Sequence, residues 1–132
     1  MIALDTNVLL RYLAQDDPVQ SARTTEIIER HLTVLNPGFV SLVCILEIVW
    51  VLGSLYKRTR GEIAQQIEMM LAADSLEVQN EQEVYQAVVA LRNGAESFED
   101  ALIGSIGIWR GCTATLTFDV NAAKRLDGFR LI

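Results

Sequence analysis

The sequence has few of the residues that build the commonest catalytic and metal centres. Its 132 residues include one histidine, His31, and two cysteines, Cys44 and Cys112. A serine–histidine triad or a zinc site is therefore disfavoured, because both depend on histidine or on closely spaced cysteines. The cysteines lie in apolar stretches without metal-ligand spacing, which predicts reduced core thiols in a cytoplasmic protein. His31 is predicted to lie at the surface.

Long apolar runs and an excess of positive charge are also missing. The most apolar stretch, residues 39–52, contains Glu47 and is too short to span a bilayer, so it is predicted to be a buried core helix. No signal peptide or membrane partner is expected, because a strand begins directly after Met1. The formal net charge of -6 argues against nucleic-acid binding driven by charge alone. A nucleic-acid substrate remains compatible with it if metal ions supply the positive charge.

Short apolar segments alternate with segments of helical spacing along the chain. Strands are predicted at residues 2–4, 33–35, 76–78, 113–118 and 129–131, and helices at residues 6–14, 18–31, 42–56, 60–73, 81–92, 97–110 and 121–126. This alternation predicts a parallel α/β sheet with right-handed crossovers. The first strand, apolar on both faces, is expected at the buried centre of the sheet. With 51% hydrophobic residues, the chain suits one domain, residues 1–132, with a sizeable core.

Four acidic residues occupy positions where α/β proteins carry out chemistry. Asp5 and Asp119 each follow a predicted strand, and ligands of open α/β sheets bind beyond the carboxyl ends of strands. Glu47 lies in the apolar helix with no basic residue one turn away, and a buried glutamate is usually paired or bound to a metal. Asp100 lies in the first turn of the helix that Ser97 opens.

Each of these positions also has a simpler interpretation. Asp5, Asp100 and Asp119 could serve helix starts, where Ser and Asp are favoured. Glu47 could lie on a solvated stripe, although it has no polar neighbours one turn away. Taken together, however, crowded carboxylates without a base repel one another unless a cation is present. Carboxylates without histidine or cysteine favour Mg²⁺ or Mn²⁺, ions that commonly serve phosphoryl transfer.

Four short motifs that contain these acids stand in order along almost the whole chain. They are LDTN at residues 4–7, LEI at 46–48, FEDALI at 98–103 and TFD at 117–119. With these motifs the sequence resembles the PIN-domain ribonucleases, in particular the small VapC-like toxins of bacterial toxin–antitoxin pairs. The resemblance implies a three-layer α/β/α fold with a central parallel sheet of four or five strands. It also implies a homodimeric endoribonuclease toxin that cleaves RNA with water activated by Mg²⁺ or Mn²⁺, and a cognate antitoxin whose tail crosses the active-site groove.

The resemblance further assigns roles to particular residues. The catalytic and metal-holding acids are implied to be Asp5, Glu47, Asp100 and Asp119. Support through hydroxyl or amide hydrogen bonds is implied for Thr6, Asn7 and Thr117. One departure is Ser97, where many relatives carry an acid. Glu96 and Glu99 lie nearby, and the sequence does not show whether either replaces it.

Three other interpretations fit parts of the sequence. A non-catalytic binding module with the same fold is disfavoured because all four acids are retained. A metal-dependent DNase stays open, because such a site would cut either backbone. A phosphatase in which Asp5 attacks phosphorus would need an acid where Asn7 stands and a well-placed lysine, and the only lysines are Lys57 and Lys124. The target RNA is not predicted, because the scattered basic residues form no readable code.

Overall fold

Helices and short parallel strands alternate along the chain, as the sequence predicts. The computed structural model describes residues 1–132, which divide into two compact units, Met1–Glu81 and Gln82–Ile132. Each unit has its own parallel sheet, of three strands in the first and two in the second. The predicted single domain over residues 1–132 stays a prediction. None of the helices combines the length and the apolar character needed to cross a membrane.

The first unit contains three strands and four helices. Its elements are β1 (Ile2–Ala3), α1 (Thr6–Ala14), α2 (Pro18–Glu26) with a π-helical turn (Ile27–His31), β2 (Gly38–Val40), α3 (Leu42–Ser54), α4 (Arg60–Ala72) and β3 (Leu76–Val78). The strands pair in parallel in the order β1-β2-β3, with Ile2 opposite Gly38 and Gly38 opposite Leu76. The central strand β2 is thus the one that packs between two neighbours.

Capping side chains set the starts of these helices. The Asp17 carboxylate accepts hydrogen bonds from the backbone N–H groups of Val19 and Gln20, and Pro18 occupies the first helical position of α2. Ser41 caps α3 by accepting from the backbone N–H of Cys44. Because Ser, Asp and a first-turn Pro satisfy or avoid unpaired N–H groups, the predicted boundaries of α2 and α3 are confirmed to within two residues at their starts.

The second unit contains two strands and three helices. Its elements are α5 (Glu81–Arg92, whose first residue ends the first unit), α6 (Phe98–Trp109), β4 (Thr115–Thr117), α7 (Val120–Arg125) and β5 (Phe129–Leu131). Strands β4 and β5 pair in parallel, with Thr115 opposite Phe129 and Thr117 opposite Leu131. Gly94 and Gly111 lie two residues beyond the ends of α5 and α6, and both have the positive φ that is common just after a helix.

The strand predicted at residues 33–35 is wrong. Thr33 and Asn36 exchange backbone hydrogen bonds of 3.1 and 3.2 Å and so close a turn, which leaves the intervening Leu35 96% exposed. The second strand forms instead at Gly38–Val40. Glycine suits position 38 of this strand, because a Cβ there would stand only 2.7 Å from the Leu32 side chain. A residue that the sequence suggests as a turn former is therefore a point of close packing.

Two predictions of burial are also wrong. Ile2 is 59% exposed, and β1 forms an edge of the three-stranded sheet because it pairs only with β2. Cys112 is exposed, since it lies beyond the end of α6 rather than within an element. Cys44 is buried and both thiols are free, as expected. The exposed position of His31 is likewise confirmed.

Candidate active site

Asp5 stands between β1 and α1, where the sequence places it. Its Oδ1 accepts a hydrogen bond of 2.9 Å from the backbone N–H of Thr6, and so Asp5 caps α1. The simpler interpretation of this residue as a cap is therefore confirmed. The residue is nevertheless exposed, as is Asn7 in the first turn of the helix. Both side chains are therefore accessible to a ligand from solvent.

Glu47 is held beside the start of α1 by Thr6. The buried Thr6 donates a hydrogen bond of 2.5 Å from its Oγ1 to Oε2 of Glu47. This bond joins residues 41 positions apart and brings the middle of α3 to the residue that follows Asp5. The structure thus brings together Asp5, Thr6 and Glu47, three of the residues that the sequence singles out.

The expectation that Glu47 is buried is wrong. Glu47 is exposed, and so are Val43 and Trp50, one turn to either side of it on α3. The buried face of the helix is formed instead by Ile45, Ile48 and Leu52. Glu47 thus lies on a solvent-facing stripe whose other members are apolar, which is why its sequence neighbours suggest burial. Its partner is a hydroxyl group rather than a base.

Asp119 follows β4 and caps α7. Its Oδ1 accepts hydrogen bonds from the backbone N–H groups of Asn121, at 2.8 Å, and Ala122, at 3.1 Å. Its own backbone N–H donates to Oγ1 of Thr117 at 2.9 Å, so the Thr117 hydroxyl fixes the turn that carries the acid. This hydrogen bond is consistent with the supporting role that the resemblance implies for Thr117.

Asp100 and Asp119 lie together in the second unit. Both line a small cavity of about 60 Å³, and the backbone N–H of Asp100 donates to the Ser97 hydroxyl at the start of α6. The start of a helix favours negative charge, because its N–H groups give it a partial positive charge. Two of the four predicted acids therefore share one cavity.

Two charged residues of this cavity were not predicted as site residues. Glu96 and Arg125 also line it. Glu96 is one of the acids near the departure at Ser97, whereas the other, Glu99, accepts a hydrogen bond of 3.2 Å from the Ser97 hydroxyl. Ser97 itself acts as the cap of α6. Arg125 is 25 residues from Asp100 in the sequence, and no pattern along the chain connects the two.

The four acids occur as two pairs, one in each unit. Asp5 and Glu47 belong to the first unit, and Asp100 and Asp119 to the second. Within neither unit do three Asp, Glu, His or Cys side chains form a group that could hold a metal ion. The chemistry of the donor set fits hard cations, because all four side chains offer carboxylate oxygens. That all four serve one ion stays a prediction.

Carboxylates at strand ends and helix starts offer the oxygen ligands that hard divalent cations prefer, at the edge of the sheet where α/β proteins bind ligands. The particular family follows from a comparison of sequences. The sequence model of the PIN domain matches residues 2–128, which include all four acids, and the chain belongs to the PIN domain family. No curated protein matches the chain significantly.

The family membership confirms the fold class and the general chemistry. PIN domains are α/β folds with a parallel sheet, and the three-layer α/β/α fold expected from the sequence fits this family. The strands form one sheet of three and one of two, however, rather than the single sheet of four or five strands that the resemblance implies. They are generally nucleases that use divalent metal ions and bind nucleic-acid substrates. The chain is accordingly a nuclease-family protein for which metal-dependent hydrolysis is the family chemistry.

Proposed function

We propose that this protein is a Mg²⁺- or Mn²⁺-dependent endoribonuclease that acts as the toxin of a toxin–antitoxin pair. The observation that carries the proposal is the pairing of acids in a PIN-domain chain. Thr6 ties Glu47 to the start of α1 beside Asp5, and Asp100 and Asp119 share one cavity. The carboxylate oxygens of both pairs suit a hard cation such as Mg²⁺ or Mn²⁺.

Asp5, Glu47, Asp100 and Asp119 would hold the ion. When bound, a divalent ion supplies a water nucleophile at neutral pH and offsets negative charge on the phosphodiester. The chain itself supplies orientation. The Thr6 hydroxyl holds one oxygen of Glu47, and the Thr117 hydroxyl fixes the backbone of Asp119. The exposed amide of Asn7 offers a hydrogen bond to substrate or water at the start of α1.

The toxin role rests on the resemblance to VapC-like proteins. It includes a cognate antitoxin that inhibits by placing a tail near the acids and a homodimer as the active form. An arginine on that tail would pair well with carboxylates, since guanidinium–carboxylate pairs form two parallel hydrogen bonds. Co-expression with the product of a short neighbouring reading frame tests this part of the proposal. Growth arrest that the neighbour does not relieve would contradict it.

Substitution of Asp5 by Asn tests catalysis without removal of the helix cap. Asn is as good an N-cap as Asp, so the fold should survive while a metal ligand is lost. Cleavage of single-stranded RNA in Mn²⁺ should fall by orders of magnitude. Asp17→Asn is the matched control, because the Asp17 carboxylate also caps a helix, α2, and belongs to neither acid pair. A well-folded Asp5→Asn protein that cleaves RNA as the wild type does would refute the assignment. Equal cleavage of DNA of the same sequence would identify a nuclease without sugar preference.

A metal-binding measurement tests whether both acid pairs serve one ion. At about 100 times its dissociation constant, Mn²⁺ should stabilise the wild type by roughly 2.7 kcal/mol, on the order of 10 °C in Tm for a chain of this length. If the ion is shared, Asp5→Asn and Asp119→Asn should each remove most of the shift, and the double variant should lose little more. Additive losses, each about half of the shift, would mean two separate sites.

A further inference from the structure

A larger groove opens within the second unit beside the cavity of Asp100 and Asp119. Its volume is about 740 Å³, and it is formed by the end of α5, the length of α6 and the segment from α7 to β5. This is the size of pockets that hold small ligands or single nucleotides. The two cavities share Ala95, Arg125 and Leu126 in their walls. The groove therefore adjoins the acid pair, although the proposed catalysis does not use it.

Two aromatic side chains line this groove. Trp109, in the last turn of α6, is 55% exposed, and Phe129 begins β5. The Phe129 ring lies against the backbone of Gly104, where a Cβ would stand only 2.5 Å from its Cε2. Glycine at position 104 thus leaves room for the Phe129 ring against α6 in the wall of the groove. Exposed aromatic faces are the usual stacking partners of unpaired nucleobases.

Polar groups that suit a base edge also line the groove. The Ser105 hydroxyl lies in a residue that is 7% exposed, and it has no hydrogen-bond partner. A buried hydroxyl without a partner is costly, so a ligand group that reached it would gain a hydrogen bond that the free protein lacks. Asn93 and Gln86 offer amide donors and acceptors, and Asp127 adds an acceptor for amino groups. A few polar groups in an otherwise apolar pocket are what fix a ligand's orientation.

Arg125 is a cation placed where a phosphate would lie between the groove and the acids. It lines both cavities, forms no ion pair, and its only hydrogen bond is one of 3.4 Å to the backbone oxygen of Gly94. Such a long bond to a neutral acceptor leaves the guanidinium available to a stronger partner. Phosphate is such a partner, because guanidinium binds it with two charge-assisted hydrogen bonds.

We propose that this groove binds one nucleobase of single-stranded RNA, stacked on Trp109, with Arg125 on the phosphate that links this nucleotide toward Asp100 and Asp119. The inference rests on the proposed ribonuclease function and adds a substrate subsite to it. It also gives the acidic chain a local positive contact for its substrate, which the net charge of -6 does not provide.

Quenching of Trp109 fluorescence by nucleotides tests the subsite without catalysis. The chain has two tryptophans, so a Trp50→Phe background leaves Trp109 as the single reporter. In EDTA, nucleoside 5′-monophosphates should quench its emission to saturation, and ribose 5-phosphate should not. Arg125→Gln should weaken the affinity for the monophosphate about tenfold or more, as expected for a lost charge-assisted contact. The affinity for the corresponding nucleoside, which has no phosphate, should stay unchanged. Arg130→Gln, at an exposed arginine outside the groove, should change neither.

The outcomes separate this inference from the proposed function. Ser105→Val should also weaken base binding. Should that variant fail to fold, the exposed Arg125 and Trp109 still decide the question, because Trp109→Ala should reduce affinity for single-stranded RNA by about tenfold. Absence of saturable quenching, or quenching that Arg125→Gln leaves unchanged, would overturn the subsite even if RNA is cleaved. Saturable, Arg125-dependent quenching in a protein that cleaves no RNA would support the subsite and refute the proposed function.

Discussion

The hydrogen bond between Thr6 and Glu47 is the most direct structural link within the predicted acid set. Thr6→Val removes the hydroxyl that donates to Oε2 of Glu47 and keeps the branched shape of the side chain. A hydrogen bond to a charged group contributes about 1.5–3 kcal/mol when it is buried. Glu47 is exposed, so water replaces the lost donor and the expected cost falls to about 1 kcal/mol. For a chain of this length that corresponds to roughly 3–5 °C in Tm.

A double-mutant cycle isolates this bond from the other effects of the substitution. The cycle compares Thr6→Val, Glu47→Ala and the double variant by chemical denaturation, and we expect a coupling free energy of about 1 kcal/mol. Thr24→Val is the matched control. Thr24 is 8% exposed, as Thr6 is, but its hydroxyl donates to the backbone oxygen of Ser21. The control should destabilise the protein without any coupling to Glu47→Ala.

The same variants connect the bond to metal binding. If Thr6 orients a carboxylate that holds the ion, Thr6→Val should weaken Mn²⁺ binding about tenfold or more, as loss of a group that orients a ligand commonly does. Thr6→Ser, which keeps the hydroxyl, should bind Mn²⁺ nearly as the wild type does. A coupling within about 0.5 kcal/mol of zero, together with unchanged Mn²⁺ affinity, would refute the reasoning that Thr6 positions Glu47 for a metal.

Two further predictions concern stability at positions other than the four predicted site acids. Tyr56 donates a hydrogen bond of 2.6 Å to Asp16, which lowers the pKa of Asp16 and raises the pKa of Tyr56. Tyr56→Phe should therefore lower Tm between about pH 5 and 9. In melts across pH the loss should begin to shrink below about pH 4 and above about pH 10, the ordinary pKa values of the two groups, and should vanish only below the lowered pKa of Asp16 and above the raised pKa of Tyr56. Gly104→Ala should cost about 1–3 kcal/mol because its Cβ would collide with Phe129, whereas Gly61→Ala, with open space around its Cβ, should stabilise α4 by up to about 1 kcal/mol. Denaturation curves in which both glycine variants shift alike would contradict the packing at Gly104.

Local chemistry explains why most element boundaries could be predicted from the sequence. Asp17 and Ser97 accept hydrogen bonds from the N–H groups of a helix start, Pro18 has no N–H to satisfy, and the structure has the corresponding helices. The strands Leu76–Val78 and Phe129–Leu131 also form where predicted. These features depend on residues within a few positions of one another, which a sequence displays directly.

The errors arise where distant residues decide the outcome. At Gly38, which lies in a strand, the side chains of Leu4 and Leu32 fill the space that a Cβ would need. The residues next to Gly38 in the sequence do not reveal this close packing. Similarly, the orientation of Glu47 depends on which face of α3 packs inward. The helix is apolar nearly all round, so its sequence pattern does not distinguish the buried from the exposed face. Arg125 lines the cavity of Asp100 and Asp119 only because the fold brings these residues together, and no sequence pattern links them.

Capping is compatible with the metal-binding role that we propose for Asp5 and Asp119. In both residues the capping bonds end on Oδ1, at Thr6 for Asp5 and at Asn121 and Ala122 for Asp119. One carboxylate oxygen thus fixes the side chain at the start of a helix, and Oδ2 is left for a cation. An N-cap therefore orients a metal ligand in advance, because the helix holds the carboxylate in place before any ion arrives. Asn at either position would keep the capping oxygen and replace only Oδ2 by an amide nitrogen, which cannot coordinate a cation. Loss of Mn²⁺ binding in Asn variants of unchanged stability would thus separate the two roles, whereas an Ala variant would remove both at once.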